Sequence, residues 1–89
     1  MRAVDVTVTG RVQGVSFRAY AEDEARRLGV TGWIRNEPDG SVAGHLEGDE
    51  ETVDAMVAWL REGPRLASVE HVDVVPAAAT GASSFEVRF

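Results

Sequence analysis

The feature that most constrains this chain is a repeated change of hydrophobic period. From Ala3 to Thr9, Val4, Val6 and Val8 alternate with Asp5, Thr7 and Thr9, the period of two that lays one face of a strand on a core. Further on, Phe17, Tyr20, Ala21, Ala25 and Leu28 recur at helical spacing, with Arg18, Glu22, Asp23, Arg26 and Arg27 off that face. Gly29 follows as a C-terminal cap, where positive φ is cheap only for glycine. Val30 to Asn36 reads as a second strand, Pro38-Asp39-Gly40 as a tight turn, and Ser41 to Glu47 as a third strand with Val42 and Leu46 on one face. Asp49 is placed to cap a second helix, whose first turn holds Glu50 and Glu51 against the positive end of the dipole. The buried stripe of that helix is Val53, Met56, Val57 and Leu60, and Gly63-Pro64 ends it. Val69 to Val75 has the β-branched content of a strand. After an alanine-rich loop from Pro76 to Ala82, Phe85, Val87 and Phe89 alternate with Ser84, Glu86 and Arg88 in a last strand.

Each helix has one apolar face, and so does each alternating strand. The order strand, helix, strand, strand, helix, strand, strand therefore predicts an α+β fold. The natural closure is a ferredoxin-like α/β sandwich, with two helices packed on one face of a largely antiparallel four- to five-stranded sheet. At 89 residues there is room for one core, since a chain of this size buries only about 60 to 65% of its unfolded surface. A single domain over 1–89 is expected, without linker, repeat or low-complexity segment. Cysteine is absent, which removes disulfides, thiolate metal sites and thiol nucleophiles and leaves stability to packing.

Charge narrows the function classes. A net charge of -6 opposes nucleic-acid binding, which rests on basic residues neutralising phosphates. All 9 basic residues are arginine, so Schiff-base chemistry and a lysine phosphate clamp are excluded, and an anion site must use arginine or backbone amides. No apolar run approaches the roughly 20 residues of a membrane span, and the N-terminus lacks an apolar leader, which makes the cytoplasm the default location.

One loop carries a chemical signal. Gly10-Arg11-Val12-Gln13-Gly14-Val15-Ser16-Phe17-Arg18 leaves a strand and enters a helix, so successive backbone N–H groups and the positive helix terminus can face one anion. Arg18 falls in the first helical turn. A cation is unfavourable there by itself, but its guanidinium can fork two phosphate oxygens once an anion is bound. Taken singly, Arg18 reads as a surface residue and Asn36 as a turn-favouring one.

The loop G-R-V-Q-G-V-S-F-R, followed by G-W-I-R-N-E-P-D-G-S-V, resembles the signature pair of the acylphosphatase family. Similarity extends to Trp59-Leu60, Gly63-Pro64 and Phe85-Glu86-Val87-Arg88-Phe89, across essentially the whole chain, which favours a free-standing enzyme. Ala43-Gly44-His45 departs from the more usual acidic continuation. The resemblance implies hydrolysis of the carboxyl–phosphate bond of a small-molecule acyl phosphate, with no metal and no organic cofactor. It implies that the backbone of Gln13, Gly14, Val15, Ser16, Phe17 and Arg18 cradles the phosphoryl group, that the Arg18 guanidinium binds it, and that Asn36 holds the attacking water.

Two other classes compete with this one, of which a structural role, or a unit of a larger maturation enzyme that processes carbamoyl phosphate, is opposed by the chain length. A non-catalytic regulatory module binding a small anion fits the same architecture, whereas RNA recognition and metal carriage lack the basic surface and the cysteine pair they need. His45 lies on the parity opposite Val42 and Leu46 and is expected to face solvent. His71 has no expected catalytic role. Asp49, Glu50 and Glu51 read as helix capping rather than a metal site, and Trp33, Trp59 and Tyr20 as packing residues. Nothing in the sequence demands more than a monomer.

Overall fold

The alternating valines of the N-terminus form β1 (Arg2–Arg11), which leads through a short loop into α1 (Phe17–Leu28) in the computed structural model of residues 1–89. The chain continues as β2 (Thr31–Asn36), β3 (Val42–Gly48), α2 (Glu50–Glu62), β4 (Ser68–Pro76) and β5 (Phe85–Arg88). All lie in one five-stranded sheet of order β4-β1-β3-β2-β5. Three neighbouring pairs are antiparallel and β2–β5 is parallel. β3 is inserted between β1 and β2, and β1 between β3 and β4, so each helix links two strands that are not neighbours. This is the expected ferredoxin-like arrangement, with β5 as a fifth, edge strand.

Register puts the apolar parity of each strand on one side. Val4 pairs with Leu46 and Val8 with Val42, and these residues share one core with Ile34, Val72 and Phe85. From α1 the core takes Phe17, Ala21 and Ala25, and from α2 it takes Val53, Met56, Val57 and Leu60, the stripe read from the sequence. Each fully enclosed large side chain here contributes roughly 1.5 to 3 kcal/mol by leaving water. Trp59 packs on Phe17, with ring centroids 5.8 Å apart. Tyr20 departs from expectation: it is 54% exposed, whereas Ala21 and Ala25 are fully buried, so the buried stripe of α1 is narrower than its apolar spacing.

Gly10 shapes the end of β1. The β1–β4 register shifts between Thr9 and Gly10, where Gly10 has φ +119° and a Cβ would stand 2.2 Å from the Ser68 carbonyl oxygen. Only glycine permits this bulge, which directs the chain out of the sheet and into the loop. At α2, Asp49 occupies the N-cap position by backbone, but its carboxylate makes no capping hydrogen bond. Its carbonyl instead accepts from Thr52 Oγ1 at 2.9 Å and from the Val53 N–H at 3.0 Å.

The face without helices is where the sequence reading needs its main correction. β4 and β5 lie at opposite edges, so the connection 77–84 must cross the sheet. It is tied down as it goes: the Ala77 N–H donates to the Ala3 carbonyl, Thr80 donates from N and Oγ1 to Glu47 Oε2 at 2.8 and 2.5 Å, and the Ser84 carbonyl accepts from the Gly32 N–H. His45 is therefore not solvent-facing but 4% exposed. Its Nδ1 lies 2.7 Å from Asp5 Oδ1 and its Nε2 2.6 Å from Glu47 Oε2. Parity told which face His45 is on; only the crossing segment decides that the face is covered.

Burial opposes a charged His45 ring, but the hydrogen bonds and charges of Asp5 and Glu47 outweigh it and raise its pKa above the usual 6.5. Glu47 is pulled down to about 2, first by the Thr80 hydroxyl and the Thr80 N–H, against desolvation, with His45 and the Gly81 N–H adding to the effect.

Candidate active site

The loop between β1 and α1 is held by alternate side chains. Val12, Val15 and Phe17 are buried in the core, while Gly14 and Ser16 stay exposed. Val15 and Phe17 thus pin the loop to the core from within. A polar tie completes the anchoring: Gln13 Nε2 donates to the carbonyls of Glu37 and Ser41, both at 2.8 Å, joining the loop to the β2–β3 turn. That turn is itself fixed by Asp39, whose Oδ1 accepts from Ser41 Oγ at 2.6 Å and Ser41 N at 2.9 Å. These bonds, the hydroxyl's first, lower the Asp39 pKa.

Within this frame the backbone turns through the left-handed region twice. Gly14 has φ +75°, and Ser16 has φ +59°, the one non-glycine residue of the chain with positive φ. A side chain held there costs on the order of 1 to 3 kcal/mol, and Ser16, at the N-cap of α1, makes no compensating side-chain cap bond. The N–H groups from Gln13 to Arg18 donate to no backbone carbonyl. A run of unpaired donors ending in a helix N-terminus is a local concentration of positive potential.

Arg18, in the first turn of α1, reaches across to β5. Its Nη1 donates to the Arg88 carbonyl at 2.8 Å, and its Cζ lies 4.8 Å from the centroid of the Phe89 ring. Asn36 closes the other side at the end of β2, opposite Val42. Its Oδ1 is buried and has no hydrogen-bond donor from the protein, a condition that costs roughly 1 to 3 kcal/mol unless a partner is supplied.

Gln13, Gly14, Ser16, Arg18 and Asn36 line one cavity of about 460 Å³, whose far wall is Val87 and Phe89. Of the residues named from the sequence, these five come together as lining, and Val15 and Phe17 do not. A groove of about 580 Å³ between α2 and β1 and β4 is larger, but Arg2 and Asp54 pair with each other at its rim and it has no comparable run of free donors.

Three features of the site were not legible beforehand. The Gln13 tie uses a side chain, where the resemblance implies only a backbone role. Acceptance by the Arg88 carbonyl leaves no trace in residue type. Phe89 did leave one: it continues the parity of Phe85 and Val87 yet is fully exposed, its ring facing Arg18 rather than the core.

Comparison with known proteins accords with this geometry. The family model described as Acylphosphatase matches residues 4–87. An acylphosphatase of a Nocardioides species is 66% identical over 86 residues, covering 97% of this chain and 87% of that protein. One from Methylococcus capsulatus is 56% identical over 81 residues, covering 91% and 88%. Among solved structures, the acylphosphatase of Bacillus subtilis superposes with a TM-score of 0.96 at 30% identity, covering 100% of both chains. With a signature loop, a fold and relatives that agree over nearly its full length, the chain belongs to the acylphosphatase family.

Proposed function

We propose that this protein hydrolyses the carboxyl–phosphate bond of small-molecule acyl phosphates to a carboxylate and inorganic phosphate, without a metal or organic cofactor. The phosphoryl group sits against the N–H groups of Gln13 to Arg18, the Arg18 guanidinium grips two of its oxygens, and Asn36 holds the attacking water. The observation that carries the reading is that the N–H groups from Gln13 to Arg18 donate to no backbone carbonyl, in a loop whose Gln13, Gly14, Ser16 and Arg18 line one cavity with Asn36.

Few residues suffice because the reaction asks little of acid–base groups. As the water oxygen bonds to phosphorus, the bond from phosphorus to the acyl oxygen breaks and its electron pair leaves with the carboxylate. The proton given up by water passes to the phosphate product or to solvent. A carboxylate whose conjugate acid has a pKa of about 4 departs without a general acid. The transition state is loose and its charge lies on the phosphoryl oxygens, so fixed donors and a cation supply the stabilisation. Charge-assisted hydrogen bonds contribute about 1.5 to 3 kcal/mol each. Asn36, which lines the same cavity, contributes by orienting water.

No helix is long and apolar enough to cross a membrane. The reading extends to a monomer acting in the cytoplasm, since every group invoked comes from one chain and the substrate is a small charged solute. Phosphate release from benzoyl phosphate with a chelator present, compared between wild type and Arg18→Lys, tests it. Turnover is expected in the first and nearly none in the second, because a point charge does not replace the fork. Wild-type turnover in Arg18→Lys would end the assignment.

A further inference from the structure

We propose that Trp33 is a positioning residue for Arg18, acting from the opposite face of the sheet through Arg88. This rests on the assignment of phosphoryl binding to Arg18. β5 is a four-residue edge strand, paired only with β2, and its ladder ends at Arg35↔Arg88. Strand pairing therefore stops at the residue whose carbonyl holds the Arg18 guanidinium.

What fixes that residue is its side chain. Arg88 Cζ lies 4.9 Å from the centroid of the Trp33 ring, on the helix-free face. Arg35, directly across the strand pair from Arg88, lies 4.8 Å from the same ring. Two guanidinium groups opposite each other on neighbouring strands repel. An indole π face attracts both, and Glu37 answers the charge of Arg35 at 3.1 Å. The only carboxylate paired with Arg88 is Glu86, at 3.8 Å and exposed, so the ring is its principal partner. The ring is seated in turn: it stacks on His45, with centroids 6.5 Å apart and planes 20° apart, and His45 is fixed between Asp5 and Glu47. A continuous set of contacts thus runs from the buried His45 through Trp33 and Arg88 to the Arg18 guanidinium. Trp33 itself does not line the cavity, so replacing it leaves every group of the site in place and alters only how firmly one of them is aimed.

The test uses Trp33→Leu, Trp33→Phe, Arg88→Leu and the double variant Trp33→Leu/Arg88→Leu, with Arg18→Lys alongside. Benzoyl phosphate turnover, competitive inhibition by inorganic phosphate and the urea midpoint are measured for each. Trp33→Leu is expected to weaken phosphate inhibition and lower kcat/KM by roughly tenfold, the scale of one misaligned contact. Arg88→Leu should match it, the double variant should be no worse than either single one, and Trp33→Phe, which keeps a π face, should recover most of the loss. Full activity in Arg18→Lys would remove the assignment on which the proposal stands. Near-total loss there, with unchanged phosphate inhibition and turnover in Trp33→Leu, overturns the proposal alone. So do losses that multiply in the double variant, or a Trp33→Phe as impaired as Trp33→Leu. Should Trp33→Leu not fold, Arg88→Leu at its half-exposed position and Trp33→Phe decide the question.

Discussion

His45 Nε2 lies 2.6 Å from Glu47 Oε2, and both side chains are almost fully enclosed on the sheet face that carries no helix. With Asp5 on the other ring nitrogen, the protonated imidazole donates to two carboxylates. Thr80 and Gly81 donate to Glu47 from the crossing segment. A segment without a large apolar side chain is thereby fastened by polar bonds, and the fastening depends on charge.

Stability should therefore peak on the acid side of neutrality. The raised pKa of His45 means its contribution is complete below the unfolded value of 6.5 and is lost as pH rises through the folded value. Glu47 works the other way: its contribution is complete above 4.5 and is lost as pH falls toward about 2. Urea midpoints are expected to be highest between pH 4.5 and 6.5 and to fall on both sides. His45→Gln should flatten the alkaline limb, and an alkaline limb of unchanged slope in that variant would refute the linkage.

Asn36→Ala should separate chemistry from binding. If its partner is water, kcat falls by about a hundredfold, while inhibition by inorganic phosphate shifts far less. Stability should move by no more than about 1 kcal/mol, because the substitution also removes a buried acceptor without a donor. Equal losses in kcat and phosphate affinity would assign Asn36 to the phosphoryl group instead.

Ser16→Gly relieves the one strained side chain of the loop. A gain of about 0.5 to 1 kcal/mol is expected, the left-handed cost being partly offset by the greater freedom of an unfolded glycine. Turnover should stay near wild type, since the proposed cradle uses only the backbone of this residue. Denaturant titration and a benzoyl phosphate assay check the two halves, and a large loss of kcat would show that the hydroxyl matters.

Gln13→Ala cuts the tie to the β2–β3 turn. Losing two hydrogen bonds to carbonyls should cost roughly 1 to 2 kcal/mol, and phosphate inhibition should weaken as the loop loses its register with Asn36. Unchanged inhibition by phosphate would show that Val12, Val15 and Phe17 suffice to hold the loop.

Much of this molecule was legible because its signals are local and periodic. Val4, Val6 and Val8 declare a half-buried strand, and Val53, Met56, Val57 and Leu60 a helix stripe, whatever surrounds them. Gly29 and Gly63 mark helix ends by backbone chemistry alone. The loop from Gly10 to Arg18 was legible through its dense pattern. Failures came where burial is decided by a distant segment. His45 has an outward parity, but residues 77–84 close over its neighbour Glu47, and no property of position 45 announces that. Tyr20 failed in the opposite direction, since it lies at the flank of a buried stripe made by Phe17, Ala21 and Ala25. The hold of Arg88 on Arg18 went unseen because a carbonyl is the same in every residue.

The donors from Gln13 to Arg18, which the native protein does not use on itself, have a consequence beyond catalysis. An oxyanion that meets them is a ligand of the folded state only, so it belongs in the unfolding equilibrium. Each tenfold rise of product above its dissociation constant adds about 1.4 kcal/mol to the apparent stability. A melting curve taken at increasing phosphate is then a titration of the cradle, legible even in a variant that no longer turns over.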